Sequence, residues 1–132
     1  DLPRSRMGRS QGRRNVVKPG YRPERGDVVW LEFTPQAGTE QAGRRPALIL
    51  SPATFNVATG LAVVCPLTST MTGSRFEVPM PKDTKLKGVV LSHQFRTVDW
   101  LARRAELHSR ASEDLVHEVL ARIEAILSID LR

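Results

Sequence analysis

The 132-residue sequence is 40% hydrophobic and contains one cysteine, which suits a single domain with one modest core and leaves no intrachain disulfide to staple it. Its net charge of +6 suggests nucleic-acid binding. However, eight of the 20 basic residues stand in residues 1–25 against only Asp1 and Glu24, so the rest carries twelve of each sign and is neutral. No apolar stretch approaches the ~20 residues of a membrane helix and no charged-then-apolar leader opens the sequence. A soluble, cytoplasmic protein is therefore expected, in which any anion site is a local constellation and not a general positive field.

Residues 1–20 are expected to be a disordered, solvated basic arm, partly an expression scar or upstream of an alternative start at Met7, with a folded domain over 21–132. From Gly26 the texture changes to short apolar runs between turn residues, the pattern of a small, mostly β domain. Strands are predicted at 28–33, 47–50 and 62–67, each too short and too β-branched for a normal helix. Residues 52–58 are read as a turn or a single helical loop between the second and third. Cys65, inside the third, reads as a small buried hydrophobe. Later strands are expected at 76–78, 88–91 and 95–98, with Pro79-Met80-Pro81 forcing an irregular connection. Residues 99–104 are expected as a shorter helix. Leu115, Val116, Val119, Leu120, Ile123, Ile126 and Leu127 then recur at helical spacing behind Ser112 as N-cap and an acidic first turn, predicting an amphipathic helix of about four turns. His108 and His117 are placed near or on that helix, at the surface. The sum is an α+β fold: a compact, mostly β barrel closed by a terminal helix.

The most informative segment is the long polar loop 34–44 between the first two strands, because a domain this small seldom keeps such a loop without a use. Pro46 biases Arg45 towards extended backbone at the start of the next strand, so its guanidinium projects from a rigid base. That group is a fixed fork of donors suited to phosphate, and Glu40 is near enough in sequence to orient it or to carry a proton. By composition alone, an Arg–Glu pair beside a hairpin is more often a surface ion pair.

The whole string is more specific. Gly26-Asp27-Val28-Val29-Trp30-Leu31-Glu32-Phe33-Thr34-Pro35, then Gly38-Thr39-Glu40-Gln41-Ala42-Gly43-Arg44-Arg45-Pro46-Ala47-Leu48-Ile49-Leu50-Ser51, resembles the opening of the MazF/PemK toxin endoribonuclease family. Asn56, Gly60, Pro66-Leu67-Thr68, Leu91 and Gln94-Phe95-Arg96-Thr97-Val98-Asp99 extend the resemblance over about residues 21–130. The resemblance implies an SH3-like small barrel of the MazF/CcdB/PemK type. It also implies a homodimer, cofactor-free and metal-independent cleavage of single-stranded RNA at short sequences, and a cognate MazE-like antitoxin as partner. It places the catalytic arginine at Arg45 and threonine at Thr68, with Glu40 and Gln41 in the adjoining loop and Gln94 and Arg96 in the RNA groove. Ser69 belongs to the same RNA-binding set. His93 stands where the family often has an acidic or other polar residue, and is open as acid or base, RNA contact or rim residue.

Such cleavage uses the ribose 2′-OH as nucleophile, giving a 2′,3′-cyclic phosphate and a 5′-OH. Arg45 suits the role of charge clamp on the phosphorane and Thr68 that of a hydroxyl donor. Guanidinium groups hold their proton at neutral pH, so Glu40 or His93 is the expected helper for proton abstraction. No CxxC, histidine cluster or carboxylate pair suggests a metal site. Sequence reading is expected from the loop after Phe33, the segment 68–75 and Gln94, while Lys82, Lys85 and Lys87 read as a solvated run with phosphate contact as the alternative. Two rivals remain at this level: a non-enzymatic gyrase-poisoning toxin of the same fold, and a silent SH3-like binding module using Trp30 and Trp100. The tail 127–132, which lacks a tryptophan, and the Arg45/Thr68 pair argue against the first, and the strand position of Trp30, as core or dimer interface, against the second.

Overall fold

A computed structural model describes residues 20–33 and 43–128. The strands are β1 (Asp27–Phe33), β2 (Gly43–Ile49), β3 (Leu61–Thr68), β4 (Glu77–Pro79), β5 (Val89–Leu91), β6 (Arg96–Asp99) and β7 (Glu106–Arg110). Helix α1 (Ala53–Thr59) lies between β2 and β3, a 3-10 turn (Ser92–Gln94) between β5 and β6, and helix α2 (Glu113–Leu127) closes the order. All pairings are antiparallel in the order β4-β5-β3-β2-β1-β7, with β6 added to the first half of β3 while β5 takes its second half. The result is the expected small, barrel-like α+β fold.

Two core layers form because alternate strand residues point to opposite faces. On one face Val28, Leu48, Cys65, Leu67 and Val90 pack with Leu115, Val116 and Val119 of α2. On the other, Val29, Leu31, Ala47, Ile49, Ala62, Val64 and Val98 are buried under Tyr21, Phe33 and Trp100. The helix forms as predicted, with the Ser112 hydroxyl accepting from Leu115 N at 3.2 Å. Each of its fully buried aliphatic side chains contributes about 1.5–3 kcal/mol. Cys65 is buried as expected, and burial pushes its thiol pKa up to about 12.

Two expectations are corrected and a third is narrowed to its helical alternative. Residues 99–104 are a compact turn, not a helix: the Asp99 carboxylate takes Ala102 N at 2.9 Å, and Arg104 adopts a left-handed φ of 60° that stops propagation. Residues 106–110, which hold His108, form strand β7 against β1, with a shift of register between Val28 and Val29. His108 sets its ring edge-on to Trp30 at 5.8 Å, and Trp30 is half-buried. Residues 52–58 become a true two-turn helix. Pro52 offers it no side-chain cap, and Glu24 accepts from Ala53 N at 2.9 Å instead. That bond and one from Arg25 N lower the Glu24 pKa. His117 lies exposed on α2, as expected.

Buried Asp27 anchors the entry to β1. It accepts from Tyr21 Oη at 2.7 Å and Glu24 N at 3.0 Å, and its other oxygen faces Arg110 Nε at 3.6 Å. Burial, and then the Asp27 carboxylate, raise the pKa of Tyr21 well above the ordinary 10.0. An unfolded chain ionises its tyrosine near pH 10, whereas the folded one does not. The contribution of this pair is therefore complete below pH 10 and is lost as pH rises above it. Tyr21 is the single tyrosine of the sequence. Phenolate absorbance at about 295 nm is thus expected to appear only together with alkaline unfolding followed by circular dichroism. A phenolate signal near pH 10 in folded protein would refute this reading.

Candidate functional site

β2 and β3 pair with a constant register, Ala47 to Pro66, Leu48 to Cys65 and Ile49 to Val64. Carried outward by two residues, that register sets Arg45 opposite Thr68. Arg45 has the strand parity of Ala47 and Ile49, and Thr68 that of Ala62 and Val64, so both belong to the face of the second core layer. Phe33 and Arg96 share that face by the same rule, following Leu31 and preceding Val98. The Arg96 guanidinium lies 5.5 Å from the centre of the Phe33 ring, a cation–π distance. Where the buried aliphatic layer ends, therefore, two arginines, a threonine and an aromatic ring follow on one surface.

The neighbouring arginines differ in their work. Arg44 points to the other side, where its Nη2 donates to Arg104 O at 2.8 Å and to Trp30 O and Glu106 Oε1 at 3.3 Å, and its Nη1 lies 3.8 Å from Glu32. It ties the β1–β2 ribbon to the 99–105 turn and to β7. Arg45 is half-buried and sits opposite fully buried Leu31. Thr68, also half-buried, accepts from Thr70 N at 3.1 Å through its Oγ1. This bond fixes the oxygen and leaves its O–H as a donor.

Ser69, His93, Gln94 and Arg96 are exposed or half-buried at the surface. His93 and Gln94 stand on the 3-10 turn, and the His93 ring lies 5.5 Å from that of Phe76. Glu40 and Gln41, with the 34–42 loop, lie outside the described residues. The fold thus brings Arg45, Thr68 and Arg96 to one face, and sets Ser69, His93 and Gln94 on connections that leave β3 and β5. Sequence reasoning does not single out Phe33. Its strand period with Leu31 is visible there, but only pairing reveals that Arg96 covers it. Lys87 is exposed and donates to Lys82 O at 2.7 Å, closing its own loop. Among the described residues no group of three or more His, Cys, Asp or Glu could hold a metal ion.

Arginines and a hydroxyl donor on one face of a small barrel have the chemistry to take an anionic group such as a phosphate. Comparison with known proteins gives the family. The family model described as "PemK-like, MazF-like toxin of type II toxin-antitoxin system" matches residues 24–127. The chain is 35% identical over 107 residues to the endoribonuclease toxin MazF of Escherichia coli K12, covering 81% of this chain and 96% of that protein. It is 39% identical over 119 residues to the Escherichia coli endoribonuclease PemK, covering 87% and 90%. A crystal structure of MazE-MazF from Deinococcus radiodurans superposes with a TM-score of 0.77 at 48% identity, covering 83% of this chain and 99% of that one. The chain belongs to the PemK-like, MazF-like family of type II toxin–antitoxin toxins.

Proposed function

We propose that this toxin is a sequence-specific endoribonuclease that cuts single-stranded RNA without a metal, with Arg45 and Thr68 at the scissile phosphate. The reading rests above all on the β2–β3 register, whose continuation two residues beyond the Ala47–Pro66 pair would bring these two residues opposite one another. The endoribonuclease names of the MazF and PemK relatives support the activity.

In this reading the 2′-oxygen attacks the adjacent phosphorus, the bond to the 5′-oxygen breaks, and that oxygen leaves with a proton. The added negative charge falls on the non-bridging oxygens. Arg45 offers them a planar pair of donors, and the Thr68 O–H a third, in a half-buried setting where such bonds are stronger than in water. Arg96 and the Phe33 ring offer a cation and a π face to the flanking nucleotides, and Ser69, Gln94 and Gln41 offer polar groups to base edges. Glu40 and His93 are the proposed proton carriers. Their assignment predicts that Glu40→Gln or His93→Ala removes one limb of the pH–rate profile, and unchanged profiles in both variants would eliminate them.

The proposed assembly is a homodimer held inactive by a MazE-like antitoxin, in keeping with the Deinococcus radiodurans complex. The proposed site of action is the cytoplasm, where its RNA substrate lies. No helix among the described residues is long and apolar enough to cross a membrane. The deciding experiment incubates a mixed RNA with the purified toxin in EDTA and maps the new 5′-OH ends. Clustered ends at one short sequence are expected. Intact RNA would leave the gyrase-poisoning alternative or a silent binding module in its place.

A further inference from the structure

Thr68 begins the connection from β3 to β4, whose residues 69–73 are exposed and rest on no core layer. A segment of Thr, Met, Gly and Ser in that position would ordinarily sample many conformations. Here other groups hold it along its length. At its far end the Glu77 carboxylate accepts from Thr72 N at 3.1 Å to either oxygen, from Thr72 Oγ1 at 2.6 Å and from Gly73 N at 3.0 Å. These donors, the Thr72 hydroxyl first, keep that carboxyl below the usual range. Arg122 of α2 donates to Arg75 O. Ser92 donates to Phe76 O through its N–H at 3.1 Å and its hydroxyl at 2.6 Å, which joins the connection to the 3-10 turn that carries His93 and Gln94.

The start of the connection is fixed differently. Gly88 lies against the Thr68–Ser69 peptide so closely that a Cβ there would stand 2.1 Å from Thr68 O, 2.9 Å from its carbonyl carbon and 3.0 Å from Ser69 Cα. Its φ of +115° also suits glycine. Its carbonyl accepts from Met80 N at 2.9 Å, so the glycine is itself held in place. A side chain at 88 therefore forces the backbone to shift, either at 88 itself or at the Thr68–Ser69 peptide.

We propose that Glu77 and Gly88 are positioning residues for RNA cleavage: Glu77 fixes the shape of the loop that reads the RNA, and Gly88 fixes Thr68 at its start. The inference rests on the reading of Thr68 and Ser69 as RNA-facing. A loop ordered before binding discriminates between bases because a mismatched base meets donors that do not move to suit it. A threonine displaced by about 1 Å is enough to lose roughly 100-fold in rate.

Glu77→Gln replaces one acceptor oxygen by a donor on a side chain that rests on no core layer, so it leaves the fold intact. Single-turnover cleavage in EDTA is measured on the preferred RNA word and on its single-base variants. For Glu77→Gln, cleavage of the preferred word is expected to stay within about threefold of wild type, while discrimination against the variants falls about tenfold. Gly88→Ala is expected to lower kcat about 100-fold on every word with little change in KM, and to add no loss in a Thr68→Ala background. Gly60→Ala is the control: Gly60 also has a positive φ, +75°, but a Cβ added there would meet nothing within 4 Å, so the variant places a side chain at positive φ without the clash. Full discrimination by Glu77→Gln, a Gly88→Ala loss no greater than that of Gly60→Ala, or a loss that persists undiminished without the Thr68 hydroxyl each overturns the proposal. If Gly88→Ala is not recovered folded, the Glu77→Gln result decides alone. A Thr68→Ala variant as active as wild type refutes the placement of the active site itself, and this proposal with it.

Discussion

Arg45→Ala is expected to lower RNA cleavage by about 10³-fold, with kcat and kcat/KM falling together. The guanidinium meets its full electrostatic demand only when the phosphorane carries its extra charge, so its removal acts on the transition state more than on binding. Loss of one preorganised donor at a developing oxyanion generally costs about 10²–10³-fold, and a charged bidentate donor belongs at the upper end. Arg45→Lys is expected to recover only part of the rate, because an ammonium offers a point charge in place of a planar fork. Arg45 lies at the margin of the second core layer, opposite Leu31, so the fold of each variant is checked by circular dichroism before kinetics. Arg44→Ala is the informative neighbour. Its partners are Trp30 O, Arg104 O, Glu32 and Glu106, so its loss is expected to lower thermal stability first and rate less. A purified Arg45→Ala protein that cuts within about threefold of wild type would end the case for Arg45 as the phosphate clamp.

The second large effect concerns stability. Asn56 is completely buried on α1. Its Oδ1 accepts from Ser51 Oγ at 2.6 Å, and its Nδ2 donates to Pro23 O at 2.8 Å and Ser51 O at 2.9 Å. Its main-chain oxygen takes Trp100 Nε1 at 2.9 Å and Gly60 N at 2.9 Å. The same Ser51 hydroxyl accepts from Val63 N at 2.8 Å. The side-chain amide thus joins the segment before β1 to Ser51 at the end of β2, and through the Ser51 hydroxyl to β3, while the main chain of the same residue holds the 99–105 turn. Asn56→Ala strands three polar groups away from water, each at about 1–3 kcal/mol, for a total of at least about 3 kcal/mol. For a domain of this size that lowers Tm by more than about 12 °C. Thermal unfolding measured at fixed protein concentration checks the prediction, and a shift below about 4 °C would show that water replaces the amide without loss. Because Asn56 is remote from the β2–β3 register pair, the folded variant is expected to retain cleavage at low temperature.

The strongly periodic elements are legible in the residues. Ser112, the acidic first turn and the apolar spacing of 115–127 act within one segment, so the helix they describe is the helix that forms. The same holds for β1 and β3, whose β-branched runs state their own conformation. β7 is not legible: Glu106-Leu107-His108-Ser109-Arg110 has no clear apolar alternation, and its strand state comes from main-chain bonds to β1. The 99–104 segment has a helical composition, but it is too short to nucleate a helix unaided and a local Asp99 bond competes with one.

For the site, the family-like string picks out Arg45 and Thr68 one at a time, and the charge count shows that the net positive charge belongs to residues 1–25. That Arg45 and Thr68 lie on neighbouring strands, β2 and β3, whose register runs towards both of them, is a property of strand pairing alone. The same is true of Phe33 under Arg96, of Gly88 against Thr68, and of Glu77 across the loop that it closes. Which segments become strands and helices, and which side chains are candidates for the chemistry, follows largely from the residues themselves, since both depend on local periodicity and functional groups. Which of them meet is settled only in three dimensions, because antiparallel pairing is fixed by long-range packing that no short window of residues contains.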